Sequence, residues 1–124
     1  MREIKFRGLV DGVWWYATPQ NSRWQQFWVV ADKETVGQYT GLKSKSGVEI
    51  YEGDIISWVT SDGDDWNCEV KFRNGYFHYV EPEPWNKMDF LLGVDDVNKT
   101  CMIIGNIHEN HGLLEKERKR NGND

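Results

Sequence analysis

The chain has 124 residues and a net charge of −5, with 39% hydrophobic and 28% charged side chains. That size suits one compact domain, or two small β subdomains sharing a core, without covalent staples. No apolar run approaches the length of a bilayer span, and MREIKFRG at the N-terminus lacks the apolar centre of a secretory signal, so neither a membrane nor an export role is expected.

The charge is unevenly spread. Residues 1–35 carry +1, residues 36–114 carry −7 and residues 115–124 carry +1. The acidic middle repels a phosphate backbone, which leaves the N-terminal part and the tail as the places for nucleic-acid contact. Seven Trp, five Tyr and five Phe let a short chain build a core from a few large rings. Cys68 and Cys101 lie in apolar-patterned stretches and read as reduced core thiols in a cytoplasmic protein.

In chain order, Ile4 to Ala17 reads as a hairpin around Asp11-Gly12, a dipeptide suited to the left-handed backbone of a two-residue turn. That turn sets Val10 opposite Val13, Leu9 opposite Trp14 and Arg7 opposite Tyr16. Trp14 and Trp15 then point to opposite faces. Pro19 to Ser22 is a turn cluster, and Trp24 to Val30, rich in aromatic and β-branched residues, is expected as a third strand. Tyr39 to Lys43 and Val48 to Tyr51 read as another hairpin. Glu52-Gly53-Asp54 is a tight turn into the strand Ile55 to Val59, and Ser61 to Asn67 a polar loop.

Cys68 begins the clearest hairpin, turning at Asn74-Gly75 and pairing Arg73 with Tyr76, Phe72 with Phe77, Lys71 with His78 and Val70 with Tyr79. Pro82 and Pro84 end it. Asn86 to Gly93 leaves a helical turn and an irregular edge equally open. Thr100 to Ile107 reads as a buried strand and Gly112 to Arg120 as a short polar helix. The fold class expected is all-β, mainly β with a short C-terminal helix, in strongly bent antiparallel sheets. Gly37, Gly41, Gly47 and Gly53 recur around short apolar strands, as sharp curvature requires.

Three segments resemble the YopX family of small phage and prophage proteins. They are Arg2-Glu3-Ile4-Lys5-Phe6-Arg7, the central run VGQYTGLK followed by GVEIYEGDII, and Ile103-Ile104-Gly105-Asn106-Ile107-His108-Glu109-Asn110. The resemblance implies a phage or prophage origin, a host-cell cytoplasmic setting and a mainly β fold with an SH3-like barrel portion. It also implies self-assembly, and no catalytic residues. Residues 1–124 then form a single domain: an N-terminal hairpin and strand over 1–35, an SH3-like portion over 36–110 and a polar tail over 111–124. Asp54, Asn106 and Asn110 suit carboxylate or amide acceptors for backbone N–H groups in turns, which makes the signature a folding instruction.

No pattern singles out chemistry. Asp62, Asp64, Asp65 and Asn67 make an acidic loop, but an EF-hand starting at Asp62 would need Glu where Arg73 stands. Cys68, Cys101, His78, His108 and His111 lack the paired spacing of a zinc site, and no two carboxylates are set apart as an acid–base pair. The expectation is a non-enzymatic accessory protein, without cofactor or metal, acting through contacts with itself and with an unknown phage or host protein. Trp14, Trp15, Trp24, Trp28 and Tyr39 are the interface candidates, since such rings anchor interface centres and Trp on both hairpin faces needs a second cover. The alternative is a nucleic-acid-binding β module using Arg7, Arg23, Trp24 and the tail residues Arg118, Lys119 and Arg120.

Overall fold

A computed structural model describes residues 3–59, 63, 65–80, 89–93 and 97–110. The described residues build two antiparallel sheets. The first has the order β2-β1-β3-β4, made of β1 Phe6–Val10, β2 Val13–Ala17, β3 Gly37–Lys43 and β4 Glu49–Tyr51. The second curls into a half-barrel in the order β8-β7-β6-β5-β9, made of β5 Asp54–Val59, β6 Asp65–Arg73, β7 Tyr76–Val80, β8 Asp89–Leu91 and β9 Met102–Asn106. The all-β expectation holds. The expected C-terminal helix lies outside the described residues, as do Pro82, Pro84 and the tail cations Arg118, Lys119 and Arg120.

Both dipeptide turns form as the sequence predicts. Asp11 and Gly12 have φ of 51° and 81°, and Asn74 and Gly75 have φ of 52° and 85°. The pairings Arg7↔Tyr16, Leu9↔Trp14 and Val10↔Val13, and Arg73↔Tyr76 through Val70↔Tyr79, match the expected registers. The strand β6 starts earlier than expected, at Asp65, which takes the end of the expected polar loop into the ladder with β5. Where the sequence leaves a helical turn and an irregular edge both open, the described part forms a regular edge strand, Asp89–Leu91, paired with β7, while residues 86–88 lie outside the described residues. A helical turn, α2 (Val97–Thr100), precedes β9.

The third strand expected at Trp24 to Val30 is a helix, α1, over those same residues. Trp24, Phe27, Trp28 and Ala31 recur at i, i+3, i+4 and i+7, the spacing of one helical face. That periodicity outweighs the β preference of the individual side chains. Asn21 starts the turn into α1 through its side-chain oxygen, which accepts from the Arg23 N–H at 2.7 Å. The helix closes over the first sheet, where Ala17, Phe27 and Ala31 are buried beneath Phe6, Val10, Trp15, Trp24, Trp28 and Val36. Gly8 permits the close approach: a Cβ there would stand 3.1–3.2 Å from Val36, Ala31 and Phe27.

A second core gathers Ile50, Ile56, Cys68, Val70, Tyr79 and Cys101. Both cysteines are buried and not in a disulfide, and burial pushes the Cys101 thiol up to about 11. Ile50 belongs to β4 of the first sheet, so the sheets share this core. β1 also pairs with β3 through Phe6↔Gln38 and Arg7↔Gly37, across the subdivision expected between residues 35 and 36. No helix among the described residues is long and apolar enough to cross a membrane.

Candidate functional site

The first sheet has two unlike faces. Phe6, Val10 and Trp15 pack under α1. Alternation sends Lys5, Arg7, Trp14, Tyr16, Tyr39, Glu49 and Tyr51 to the other face. That face meets the second sheet at Asp54, the first residue of β5.

The junction centres on an ion pair. Arg7 is 7% exposed and Asp54 2%. The Arg7 guanidinium donates to Asp54 Oδ1 at 2.6 Å, and the Tyr51 backbone N–H donates to Asp54 Oδ2 at 2.7 Å. Trp14 and Tyr51 flank the guanidinium, 4.5 and 4.8 Å from its carbon. Its Nε has no acceptor among the described residues, so rings complete its surroundings. Burial pushes the Asp54 carboxyl above its ordinary range, while the Arg7 charge and the two hydrogen bonds pull it back.

The closing turn after β9 locks onto the same place. Asn106 Oδ1 accepts from the backbone N–H groups of His108 and Glu109 at 3.0 Å each, and Asn110 Oδ1 accepts from the Asn106 N–H. Glu109 in turn accepts from the Trp14 indole N–H at 2.8 Å and from the Asn106 amide at 3.0 Å. Burial and the nearby Arg7 charge hold His108 below its usual value. The three signature segments therefore converge: Arg7 from the first, Tyr51 and Asp54 from the second, Asn106, His108 and Glu109 from the third. The expected turn roles of Asp54, Asn106 and Asn110 are all filled.

A cleft of about 540 Å³ opens beside this junction, lined by Lys5, Arg7, Tyr16, Glu49, Tyr51 and Asp54 among others. Its charged groups are spent on one another. Lys5 donates to Glu49 at 2.7 Å and lies 3.4 Å from Glu3, and the Tyr51 hydroxyl donates to Glu49 at 3.0 Å. Burial raises the Glu49 carboxyl, but the Lys5 and Tyr51 hydrogen bonds outweigh it and leave the group below its ordinary value. The Tyr51 hydroxyl is pushed far above its ordinary value, by burial first and by Glu49 second.

The sequence-predicted rings are not gathered on one open surface. Tyr39 is buried, and Trp15, Trp24 and Trp28 pack around the first core. Trp14 lies over Arg7 and is tied to Glu109. The tryptophans on both faces of the first hairpin are thus packed from within the chain, Trp15 by α1 and Trp14 by the closing turn, while Val13 and Tyr16 stay exposed. Among the nucleic-acid candidates, Arg7 is committed to Asp54, Trp24 to the core, and Arg23 lies exposed over Trp15 at 4.6 Å. What composition did not mark is the set of exposed apolar side chains Val13, Tyr16, Val29 and Val30. Reading α1 as a helix would have found two of them, since Val29 and Val30 fall off the Trp24/Phe27/Trp28 face.

No curated protein matches the chain. Among solved structures, protein EF1440 from Enterococcus faecalis is similar at 24% identity over 90% of this chain and 75% of its own, with a TM-score of 0.49. The YopX protein family profile matches residues 2–115. That span holds all three signature segments and the junction they form, and the chain belongs to the YopX family.

Proposed function

We propose that this is a non-enzymatic phage or prophage accessory protein of the host cytoplasm, working through protein contacts that include self-association. One observation carries the reading. Residues 12–31 contain a single charge, Arg23, so the net −5 divides into +1 here and −6 elsewhere. The same stretch exposes Val13, Tyr16, Val29 and Val30, at 61%, 48%, 79% and 42%. Four of the exposed large apolar side chains thus fall in the stretch where an acidic protein is least repelled by another acidic chain, which favours this stretch for contact with a second copy. The non-enzymatic reading draws support from the cleft, whose Lys5, Glu49, Arg7 and Asp54 are paired with each other.

The test is light scattering of the purified full chain over a dilution series at low and high salt. Apolar self-association of an acidic protein persists or strengthens as salt screens the −6. A strict monomer at every concentration and salt overturns the self-association.

A further inference from the structure

We propose that β2 is a strand-addition site at which a second copy of this chain pairs through the outward N–H and C=O groups of Trp14 and Tyr16. The inference rests on the self-association proposed above and names its surface.

The direction of these groups follows from β1. The Leu9 N–H donates to Thr35 Oγ1, and the Leu9 C=O accepts from the Asp32 N–H, so both point away from β2. The Lys5 C=O likewise accepts from the Tyr39 N–H on the β3 side. Leu9↔Trp14 and Arg7↔Tyr16 are therefore the non-hydrogen-bonded pairs of this hairpin. Trp14 and Tyr16 then turn their backbone groups outward, at the free edge of the first sheet. The one partner they find there among the described residues is the Asn21 amide, 3.5 Å from the Tyr16 carbonyl.

The other edges are blunted. β4 has three residues, and its Tyr51 N–H is taken by Asp54. β8 also has three residues and begins with an acid, Asp89. β9 is broken by a register shift opposite Ile55 and Ile56, Asn110 takes both the N–H and the C=O of its last residue Asn106, and just before it the Lys45 N–H takes the Cys101 carbonyl. β2 has five residues, VWWYA, with no proline and no charge, inside an uncharged run from Gly12 to Ser22. Edge strands ordinarily carry lysine, proline or a bulge against pairing, and this one carries none. A second copy is the occupant favoured by charge. It presents the same uncharged edge, whereas its remaining surface carries the acidic excess.

Proline gives a clean probe. At Tyr16 it removes an outward N–H and leaves the β1 ladder intact. The full-length chain is compared with Tyr16→Pro, Val13→Lys and Tyr16→Val by light scattering over a dilution series, with circular dichroism melts to verify folding. Expected are a rise of about thirtyfold or more in the dissociation constant for Tyr16→Pro and Val13→Lys, and little change for Tyr16→Val, which keeps the N–H. Val13→Lys decides the matter if Tyr16→Pro does not fold. Wild-type self-association unaltered in Val13→Lys and any folded Tyr16→Pro overturns strand addition while self-association stands; a monomeric wild type overturns both. Trp14 and Tyr16 amides that exchange slowly even at dilutions where the chain is monomeric show an edge covered by the chain's own residues, which also overturns the proposal.

Discussion

The two sheets are stabilised in different ways. Around the first, three side chains are buried and six others are only partly so, among them Phe6, Trp15, Trp24 and Trp28. Around the second, six side chains from Ile50 to Cys101 are sealed. The ring-rich core works by breadth: edge-to-face contacts such as Phe6–Trp28 at 5.1 Å and Trp24–Trp28 at 5.4 Å bury area while leaving rims open. The second core works by depth. The less sealed sheet also carries the charge-poor stretch and the uncharged edge strand β2, and the buried Arg7–Asp54 pair fastens it to the second sheet.

Loss of that fastening is expected to have the largest effect on stability. Asp54→Ala strands the Arg7 charge and is expected to cost about 3–5 kcal/mol in denaturant unfolding. Replacing Arg7 and Asp54 together by apolar residues of similar volume is expected to recover most of it, measured as a double-mutant cycle. Phe27→Ala empties the centre of the first core and is expected to cost about 3–5 kcal/mol. The loss should appear first in the hydrogen exchange of β1 and β2, with β6 and β7 remaining protected longer. Gly37→Ala would set a Cβ 2.5 Å from the Glu52 carbonyl oxygen, a backbone atom that cannot swing aside. About 1–3 kcal/mol is expected from that overpacking.

Finer variants sharpen the contrast. Trp14→Phe keeps a ring over Arg7 but drops the hydrogen bond to Glu109, for about 0.5–1.5 kcal/mol in thermal or denaturant melts. His108 has the smallest expected effect. Its proton affinity is lowered on folding from the ordinary 6.5, so the unfolded chain binds the proton more readily. Its contribution is present above that value and lost as pH falls through the lower folded one. Stability measured between pH 7 and 5 should decline less in His108→Gln than in the wild type.

Local signals were legible in the sequence and distant ones were not. Asp11-Gly12 and Asn74-Gly75 fix their hairpins because turn and register are set within a few residues. α1 replaces the expected strand because Trp, Phe and Val favour strands one at a time, whereas the spacing of Trp24, Phe27 and Trp28 favours a helix as a set. As a helix, this segment covers one face of the first hairpin, which a third strand in the same sheet would leave open. The junction left no local trace, since 47 residues separate Arg7 from Asp54 and 95 separate Trp14 from Glu109. The three signature segments were visible, and so were the turn roles of Asp54 and Asn106; that Arg7 would be their common neighbour was not.

Those separations bear on synthesis. The N-terminal hairpin leaves the ribosome early, but the carboxylate that neutralises Arg7 and the turn that shields Trp14 are translated much later. Until Glu109 emerges, a nascent chain displays an uncharged VWWYA edge beside an incompletely covered tryptophan. If β2 pairs with a second copy, neighbouring nascent chains on one polysome offer the same edge to each other, and slower elongation over residues 54 to 109 lengthens that exposure.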